Sequence, residues 1–253
     1  MPSSTWPFLN HSGVLAFAHR GGAGEWPENT MPAFENAVSL GYKYVETDVH
    51  LTSDGVLVAC HDESLDRVTD RTGLIREMKW VDVRQARVDG IEPIPLLEDL
   101  LGTWPDLHIN IDPKHDSSVE ALAQVLIRTN SVERVCVGAF SDKRLARLRK
   151  LVGPLLCTSL GPGGTARLKA SSKGLPIGVN PGACAQVPHR SGKLTITDKR
   201  FVDKAHSRGL QVHVWTIDDP DEMNYLLDLG VDGIMTDKPA ILREVLQSRN
   251  MWA

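Results

Sequence analysis

Short β-type runs alternate with helical periods along almost the whole sequence, and this alternation constrains the fold more than any other feature. Eight candidate strands can be read in order, at residues 14–18, 44–51, 107–112, 134–140, 155–159, 177–180, 210–216 and 231–236. Segments with apolar residues three and four positions apart fall between them, as in amphipathic helices. This order predicts parallel strands covered by helices. Eight such units in 253 residues have the dimensions of an α/β fold of the (β/α)8 TIM-barrel type.

One insertion interrupts the alternation after the second strand. Turn residues at 53–55 precede a further extended run at 56–60, which predicts a hairpin. The segment that follows has no strong apolar period, so we expect a small insertion over about residues 53–92, above the barrel mouth. No linker, low-complexity tract or break in composition divides the chain. We therefore expect a single domain over residues 1–253.

Charge and apolar patterning exclude several classes of protein. The chain has 28 Lys and Arg against 32 Asp and Glu, a net charge of −4, so it has no general attraction for polyanions and we expect no nucleic-acid partner. It lacks both a run of about 18 apolar residues and the pattern of a secretory signal. We therefore expect no transmembrane segment and a cytoplasmic location.

The cysteines stand singly, without a C-x-x-C pair, at Cys60, Cys136, Cys157 and Cys184. This spacing argues against a zinc knuckle or a disulfide framework. It favours free thiols that behave as small buried hydrophobes.

Acidic side chains share one face of two neighbouring predicted strands. Glu46, Asp48 and His50 alternate with apolar residues on the second strand, and Asp112 and Lys114 repeat the arrangement on the third. An exposed surface strand gives the same alternation, but a barrel strand is covered by helices. Acids that point into a barrel need a compensating charge, which a hard divalent cation such as Mg²⁺ or Ca²⁺ supplies. A histidine-containing zinc site is the alternative.

Two histidines accompany these acids. His19 and Arg20 end the first strand and are followed by two glycines that permit a tight turn, while His61 follows the hairpin. The planar guanidinium of Arg20 matches a phosphate group. A single histidine is more often a structural hydrogen-bonding group than a catalyst. Two of them beside acids and a cation favour proton transfer in phosphoryl chemistry.

A set of motifs spaced along the chain resembles the glycerophosphodiester phosphodiesterase family. In order they are AHRGG at 18–22, PENT at 27–30, AF at 33–34, ETDV at 46–49, DG at 54–55, HD at 61–62, VWT at 214–216 and GIMTDKP at 233–239. The resemblance spans about residues 14–240. It implies a TIM barrel that uses Mg²⁺ or Ca²⁺ to hydrolyse glycerophosphodiesters to glycerol 3-phosphate and an alcohol.

The resemblance also implies roles for eight residues. They are His19 and His61 as general base and acid in either order, Glu46, Asp48 and Asp112 as metal ligands, Arg20 and Lys114 as phosphate contacts, and Trp215 as a wall of the substrate pocket. The family usually has Glu where this chain has Asp112, which is one methylene shorter and places the ion closer to that strand or binds it through water. Core packing is the alternative role for Trp215.

The resemblance suggests in addition that the nucleophile is the glycerol 2-hydroxyl of the substrate. Attack by this group gives a cyclic phosphate that water then opens. Intramolecular attack is physically favourable because well-oriented groups reach effective molarities on the order of 10⁵ M or more.

Two other functions compete with this interpretation. The motifs at 18–30 also resemble family members that act as lysophospholipase D, which requires an apolar groove for an acyl chain, and we expect that groove near Met78, Trp80 and Val81. A ligand-binding barrel without catalysis is the second alternative, and the intact histidines and acids argue against it.

Two further features receive structural interpretations. The basic residues Lys143, Arg144, Arg147, Arg149 and Lys150 alternate with leucines, which predicts a solvated helix face rather than a membrane-binding surface. Asp237, before Lys238 and Pro239, is expected to cap a helix rather than to act as a ligand.

Overall fold

A computed structural model describes residues 6–178 and 181–252 of the chain. Its strands are β1 (Leu15–Ala18), β2 (Tyr44–Leu51), β3 (Leu57–Ala59), β4 (Arg87–Val88), β5 (Glu92–Pro93), β6 (His108–Pro113), β7 (Val135–Val137), β8 (Cys157–Thr158), β9 (Cys184–Pro188), β10 (Arg190–Ser191), β11 (Leu194–Thr195), β12 (Gln211–Trp215) and β13 (Gly233–Thr236). Its α-helices are α1 (Met31–Ser39), α2 (Trp80–Val83), α3 (Leu97–Thr103), α4 (Ser118–Arg128), α5 (Asp142–Val152), α6 (Pro162–Ser172), α7 (Lys199–His206), α8 (Pro220–Leu229) and α9 (Pro239–Ser248). Short 3₁₀ helices lie at Pro7–Leu9, His19–Gly21, Ile75–Glu77 and Val132–Arg134.

Eight parallel strands form a nearly closed barrel with helices between them, which confirms the predicted TIM barrel. Their order is β8-β7-β6-β2-β1-β13-β12-β9. β8 and β9 meet at the seam through a parallel bridge between Ser159 and Cys184. Backbone hydrogen bonds from Ala183 to Thr158 and from Leu160 to Cys184, both 2.8 Å, flank that bridge.

The strand register brings the predicted acids to neighbouring positions. Asp48 on β2 is paired with Asp112 on β6, and Glu46 is paired with Asn110. The outward side chains of β2 and β6, including Val45, pack in the main core between barrel and helices. Alternation along β2 therefore sends its acids inward, as predicted.

The predicted strand at 177–180 is wrong, because the sixth barrel strand is β9 at Cys184–Pro188. Residues 177–178 have no regular structure, and residues 179 and 180 lie outside the described residues. The true strand begins with Cys184 and Ala185, small residues with weak β-propensity, whereas the neighbouring apolar run looks more strand-like. Gly182 lies two residues before this strand, where a Cβ would be 2.8 Å from Leu160 Cδ2, so the chain reaches the seam through a position that favours glycine.

The insertion is a compact layer with its own small core. β3 pairs with β2 in antiparallel fashion, which confirms the predicted hairpin. Beyond it, buried apolar side chains pack together, namely Val58, Cys60, Leu65, Ile75, Val83, Ala86, Val88 and Ile94. They are spread over short elements of different kinds, which explains why no single period appears in the sequence.

The basic face of α5 is only partly solvated. Arg144 Nη1 donates to the backbone oxygen of Pro113 (2.6 Å), and Arg149 Nη1 donates to Thr158 Oγ1 (2.8 Å). The other three basic residues are exposed. Two of the five cations thus tie α5 to the ends of barrel strands instead of facing solvent.

Within the described ranges, none of the helices combines the length and the apolar character needed to cross a bilayer.

Candidate active site

A cavity of about 810 Å³ opens at the carboxyl ends of the barrel strands. All eight residues predicted for the site line it, namely His19, Arg20, Glu46, Asp48, His61, Asp112, Lys114 and Trp215. In a parallel barrel this end gathers the loops that follow each strand, and active sites lie there. The fold therefore brings the predicted residues to one place.

The three acids lie buried on the cavity floor. Burial, with the charge of Asp48 added to it, raises the pKa of Glu46 to about 7. Burial also raises the pKa of Asp112 above its ordinary value. For Asp48 burial acts in the same direction, but the charges of Lys114 and Arg20 outweigh it and lower the pKa. The cations Lys114 and Arg20 thus lower the pKa of Asp48, while the pKa values of Glu46 and Asp112 stay raised.

Lys114 lies between two of these acids. Its Nζ is 2.6 Å from Asp48 Oδ1 and 2.9 Å from Asp112 Oδ2. The pKa of Lys114 is raised, because the two carboxylates outweigh the effect of its burial. The predicted phosphate contact is therefore engaged by the carboxylates in this structure.

Arg20 adopts a left-handed backbone conformation (φ 52°) at the turn after β1. Its backbone nitrogen donates to Glu46 Oε2 (3.2 Å), and Nη1 donates to Glu28 Oε1 (3.2 Å). Nε lies 3.2 Å from Asp48 Oδ2 without the alignment of a hydrogen bond. Gly21 follows with φ 82°, and a Cβ there would lie 2.8 Å from Ala33 Cβ, so the turn requires glycine.

His19 is held by Asp237 across the barrel mouth. Its Nδ1 donates to Asp237 Oδ1 (2.6 Å), and its Nε2 lies 3.7 Å from Glu46 Oε2. Burial acts to lower the pKa of His19, but the carboxylates of Glu46 and Asp237 outweigh it and raise the pKa. The prediction that Asp237 caps a helix is wrong, since the N-cap of α9 is Lys238. Chain position suggested a cap, but the tertiary fold turns the carboxylate toward His19.

His61 has a similar partner in the insertion. Its Nδ1 donates to Asp62 Oδ1 (2.6 Å). Asp62 in turn accepts from Arg67 Nε (2.5 Å), and Arg67 Nη2 donates to Glu28 Oε1 (2.7 Å). Because Glu28 also binds Arg20, a continuous chain of ion pairs joins the two predicted catalytic segments.

The sequence does not single out four further residues of the site and assigns Asp237 the wrong role; the four are Glu28, Asn29, Asp62 and Arg67. Asn29, with φ 56°, donates from Nδ2 to Asp48 Oδ2 (3.2 Å). All except Arg67 lie within the motifs PENT, HD and GIMTDKP, so their position in a motif was the available signal. Arg67 carries no local signal, because its partners are 5 and 39 positions away.

One wall of the cavity is apolar. Trp215 packs edge-on against Phe140, with ring centroids 5.7 Å apart. The wall continues through Leu160, Ala166, Ala170, Leu175, Val187, Leu194 and Ile196. The prediction of an apolar groove near Met78, Trp80 and Val81 is wrong. Met78 and Trp80 pack against the core of the insertion, and Val81 faces solvent.

The donor set of the floor fits a hard divalent cation in its chemistry. Asp112 Oδ1 is buried without a hydrogen-bond partner, so it can accept an ion. The ligand atoms of Glu46, Asp48 and Asp112 are not all within 4.8 Å of one another. Because Lys114 separates Asp48 from Asp112, a single ion that contacts all three requires a side-chain rotation or a bridging water.

Comparison with known proteins agrees with the fold and the motifs. The family model described as "Glycerophosphoryl diester phosphodiesterase family" matches residues 19–241. A probable glycerophosphodiester phosphodiesterase 2 of Mycobacterium tuberculosis is 40% identical over 257 residues, covering 98% of this chain and 96% of that protein. A human lysophospholipase D is 30% identical over 269 residues, covering 91% of this chain and 85% of that protein.

Solved structures show the same fold. A putative glycerophosphoryl diester phosphodiesterase from Silicibacter pomeroyi superposes with a TM-score of 0.81 at 23% identity, covering 98% of this chain and 100% of that one. An Oleispira antarctica phosphodiesterase, solved in complex with the product sn-glycerol-3-phosphate, superposes with a TM-score of 0.77 at 22% identity. It covers 93% of this chain and 97% of that one.

Proposed function

Because the chain belongs to the glycerophosphoryl diester phosphodiesterase family, we propose that His19, His61 and a divalent cation on the acidic floor carry out its reaction. The chain is a phosphoric diester hydrolase that acts on glycerophosphodiesters, which sets aside the alternative of a barrel without catalysis. The finer assignment rests on one observation. Two imidazoles, each held through Nδ1 by an aspartate, line one cavity with three buried acids.

The histidines would carry the protons of the reaction. A carboxylate at Nδ1 holds a ring in place and leaves Nε2 to exchange a proton with the substrate. One imidazole takes the proton of the nucleophile, while the other gives a proton to the departing alkoxide. General acid–base catalysis of this kind contributes about 10² to 10⁴-fold in rate.

The cations would stabilise the phosphate. Attack on phosphorus builds negative charge on its oxygens, and Arg20 and Lys114 lie on the cavity floor where that charge can be met. Glu46, Asp48 and Asp112 would hold Mg²⁺ or Ca²⁺, which supplies Lewis-acid stabilisation of the same charge. Lys114, which pairs with Asp48 and Asp112 in this structure, would contact the substrate phosphate if those carboxylates held the ion instead.

We further propose that the glycerol 2-hydroxyl is the nucleophile. Its proton passes to the basic histidine as the hydroxyl oxygen bonds to phosphorus, and the bond to the alcohol breaks with protonation by the acidic histidine. Water then opens the cyclic phosphate with the histidine roles reversed. The products balance as glycerol 3-phosphate and the free alcohol.

The experiment that tests this function measures glycerol 3-phosphate release from glycerophosphocholine. His19→Ala and His61→Ala should each lose about 10²-fold or more in kcat. His206→Ala is the matched control, since His206 also pairs with an aspartate, Asp232 (2.8 Å), but on the surface. Near-normal turnover of either cavity variant contradicts the assignment.

A second arm of that experiment addresses the nucleophile. A diester that lacks a hydroxyl next to the phosphate-bearing carbon should bind but resist cleavage. Rapid hydrolysis of such a diester points instead to direct attack by water and overturns the cyclic route.

A lysophospholipase D activity is the second candidate, and the apolar wall favours it. Phe140, Leu175 and Leu194 expose 68%, 52% and 52% of their surface at or near the cavity, an arrangement that suits an acyl chain. Turnover of lysophosphatidylcholine beside glycerophosphocholine discriminates the two. Phe140→Ala should raise KM for the acylated substrate alone if the chain lies on this wall, and equal effects on both substrates contradict it.

The cytoplasmic location and the lack of a nucleic-acid partner stay predictions from the sequence. The second rests on the net charge of −4 and is tested by the salt dependence of any binding to duplex DNA.

A further inference from the structure

Three cysteines that are far apart in the sequence meet inside the barrel. Cys136 lies on β7, Cys157 on β8 and Cys184 on β9, three strands in succession around the barrel. Their sulfur atoms all lie within 4.8 Å of one another, and the Sγ atoms of Cys136 and Cys184 are 3.9 Å apart. All three side chains are fully or almost fully buried. None of the three cysteines of this thiol cluster lines the cavity of the active site.

The spacing of the thiol cluster matches a tetrahedral metal centre. With zinc–sulfur bonds of about 2.3 Å, tetrahedral geometry places two thiolates about 3.8 Å apart. The separation of 3.9 Å between Cys136 and Cys184 is close to this value. The barrel interior is normally filled by branched apolar residues, so three converging thiols are an unusual way to fill it.

A histidine on the next strand is the candidate for a fourth donor. His213 lies on β12, which pairs with β9. Gln211 Nε2 donates to the backbone oxygen of Leu9 (3.2 Å), which leaves Gln211 Oε1 to accept from His213 Nε2 (3.1 Å). The proton of the ring is therefore on Nε2, and Nδ1 keeps its lone pair. A second partner that fixes the tautomer in this way is typical of metal-binding histidines.

His213 lies next to one member of the thiol cluster, Cys184. Hydrogen bonds from Cys136 and Cys157 lower the pKa of Cys184, and the adjacent His213 lowers it further, against the effect of burial. Gln186 Nε2 lies 3.4 Å from His213 Nδ1 and 4.0 Å from Cys136 Sγ. The ring thus lies beside Cys184, but neither of its nitrogens is within 4.8 Å of all three sulfur atoms.

We propose that Cys136, Cys157 and Cys184 bind one Zn²⁺ ion at a buried site, which His213 completes as the fourth ligand after a small rotation of its side chain. Thiolate and imidazole donors select a soft or borderline metal. Three thiolates with Zn²⁺ and a neutral imidazole carry a net charge of −1. A monovalent ion would leave −2 in the same apolar surroundings, so the divalent ion is favoured.

A metal ion at this place would strengthen the seam of the barrel. β8 and β9 pair at the barrel seam through the single bridge between Ser159 and Cys184 and its flanking backbone bonds. An ion bound by β7, β8, β9 and β12 ties both sides of that seam together. With four protein ligands the ion would be structural rather than catalytic.

Metal analysis of the purified chain tests the proposal. Chain expressed in zinc-supplemented medium and dialysed against a chelator should retain about one zinc ion per chain. Cys157→Ser and Cys184→Ser should lose it. Cys60→Ser is the matched control, because Cys60 is also buried but packs in the insertion, and it should keep the ion. Asp48→Asn should keep it too, which separates this site from the acidic floor.

A spectroscopic measurement covers the case in which a serine variant fails to fold. Wild-type chain expressed with Co²⁺ should show intense thiolate-to-cobalt charge-transfer absorption and the visible bands of tetrahedral cobalt. Absence of both zinc and the cobalt bands from folded wild type overturns the proposal and leaves the thiol cluster as core packing. Zinc retained in the folded Cys157→Ser and Cys184→Ser variants overturns it equally.

Discussion

At the scale of single residues, the site depends on how each imidazole is held. Asp237 contacts His19 and not the substrate phosphate in our proposal, so we regard it as a positioning residue. Its carboxylate both fixes the ring through Nδ1 (2.6 Å) and contributes to the raised pKa of His19. Removing the charge while keeping the shape isolates this role.

We predict that Asp237→Asn lowers kcat about 10²-fold, with little change in KM, because a misplaced catalytic group loses that order of rate. Loss of the carboxylate also lowers the pKa of His19. The limb of the pH–rate profile that His19 governs should therefore move to lower pH. Steady-state kinetics over a range of pH values measures both effects.

Asp219→Asn is the control for Asp237→Asn. Asp219 caps α8 by accepting from the backbone of Asp221 and Glu222. Because Asn caps a helix about as well as Asp, its variant should lose only the charge–dipole contribution, about 0.3 to 1 kcal/mol, and keep the pH profile. An unchanged pH profile in Asp237→Asn would remove Asp237 from the mechanism.

Residues with local signals could be predicted from the sequence, and residues with distant partners could not. Glu46 and Asp48 were identified because strand alternation makes their direction readable. His19 and His61 were identified because they stand in motifs beside turn residues. Asp237 was misassigned because it precedes a helix, and only the closed barrel shows that β13 lies next to β1.

At the scale of elements, the insertion supplies half of the proposed proton-transfer machinery. Arg67 links Asp62, the partner of His61, to Glu28 on the turn after β1. Hydrogen bonds from Arg67 are the main reason that the pKa of Asp62 falls to about 2. The insertion is thereby aligned with the barrel rim by charge as well as by packing.

We predict that Arg67→Met lowers kcat several-fold and leaves thermal stability nearly unchanged, since exposed ion pairs contribute about 0 to 1 kcal/mol. Arg128→Met is the matched control, because Arg128 forms an exposed pair with Glu98 on the outer helices. Activity assays and thermal unfolding of both variants measure this. An equal effect of the two variants on kcat would show that the link through Arg67 has no catalytic role.

The sequence predicts most of the barrel strands but misplaces one. Seven of the eight predicted barrel strands overlap the observed ones, since each has a strong apolar run. β9 was misplaced because its small residues suit the crowded barrel seam rather than any intrinsic strand preference. The thiol cluster follows from that same seam, so spacing along the chain could not reveal it.

At the scale of the whole molecule, we propose that barrel and insertion form one domain. β3 belongs to both, since Leu57 packs in the main core and Val58 in the core of the insertion. We therefore predict one cooperative unfolding transition in urea, with coincident curves from far-UV circular dichroism and tryptophan fluorescence. Two separated transitions, with the insertion lost first, would show independent units.

The central claim is that the acidic floor works with a divalent cation to hydrolyse glycerophosphodiesters. The most direct measurement is the rate of glycerol 3-phosphate release by wild type, first stripped of divalent ions with a chelator and then supplied with Mg²⁺ or Ca²⁺. We predict that stripping abolishes activity, that one of these ions restores it, and that Glu46→Gln and Asp48→Asn stay inactive with either ion. Full activity in chelator, or normal activity of either variant, would contradict the account.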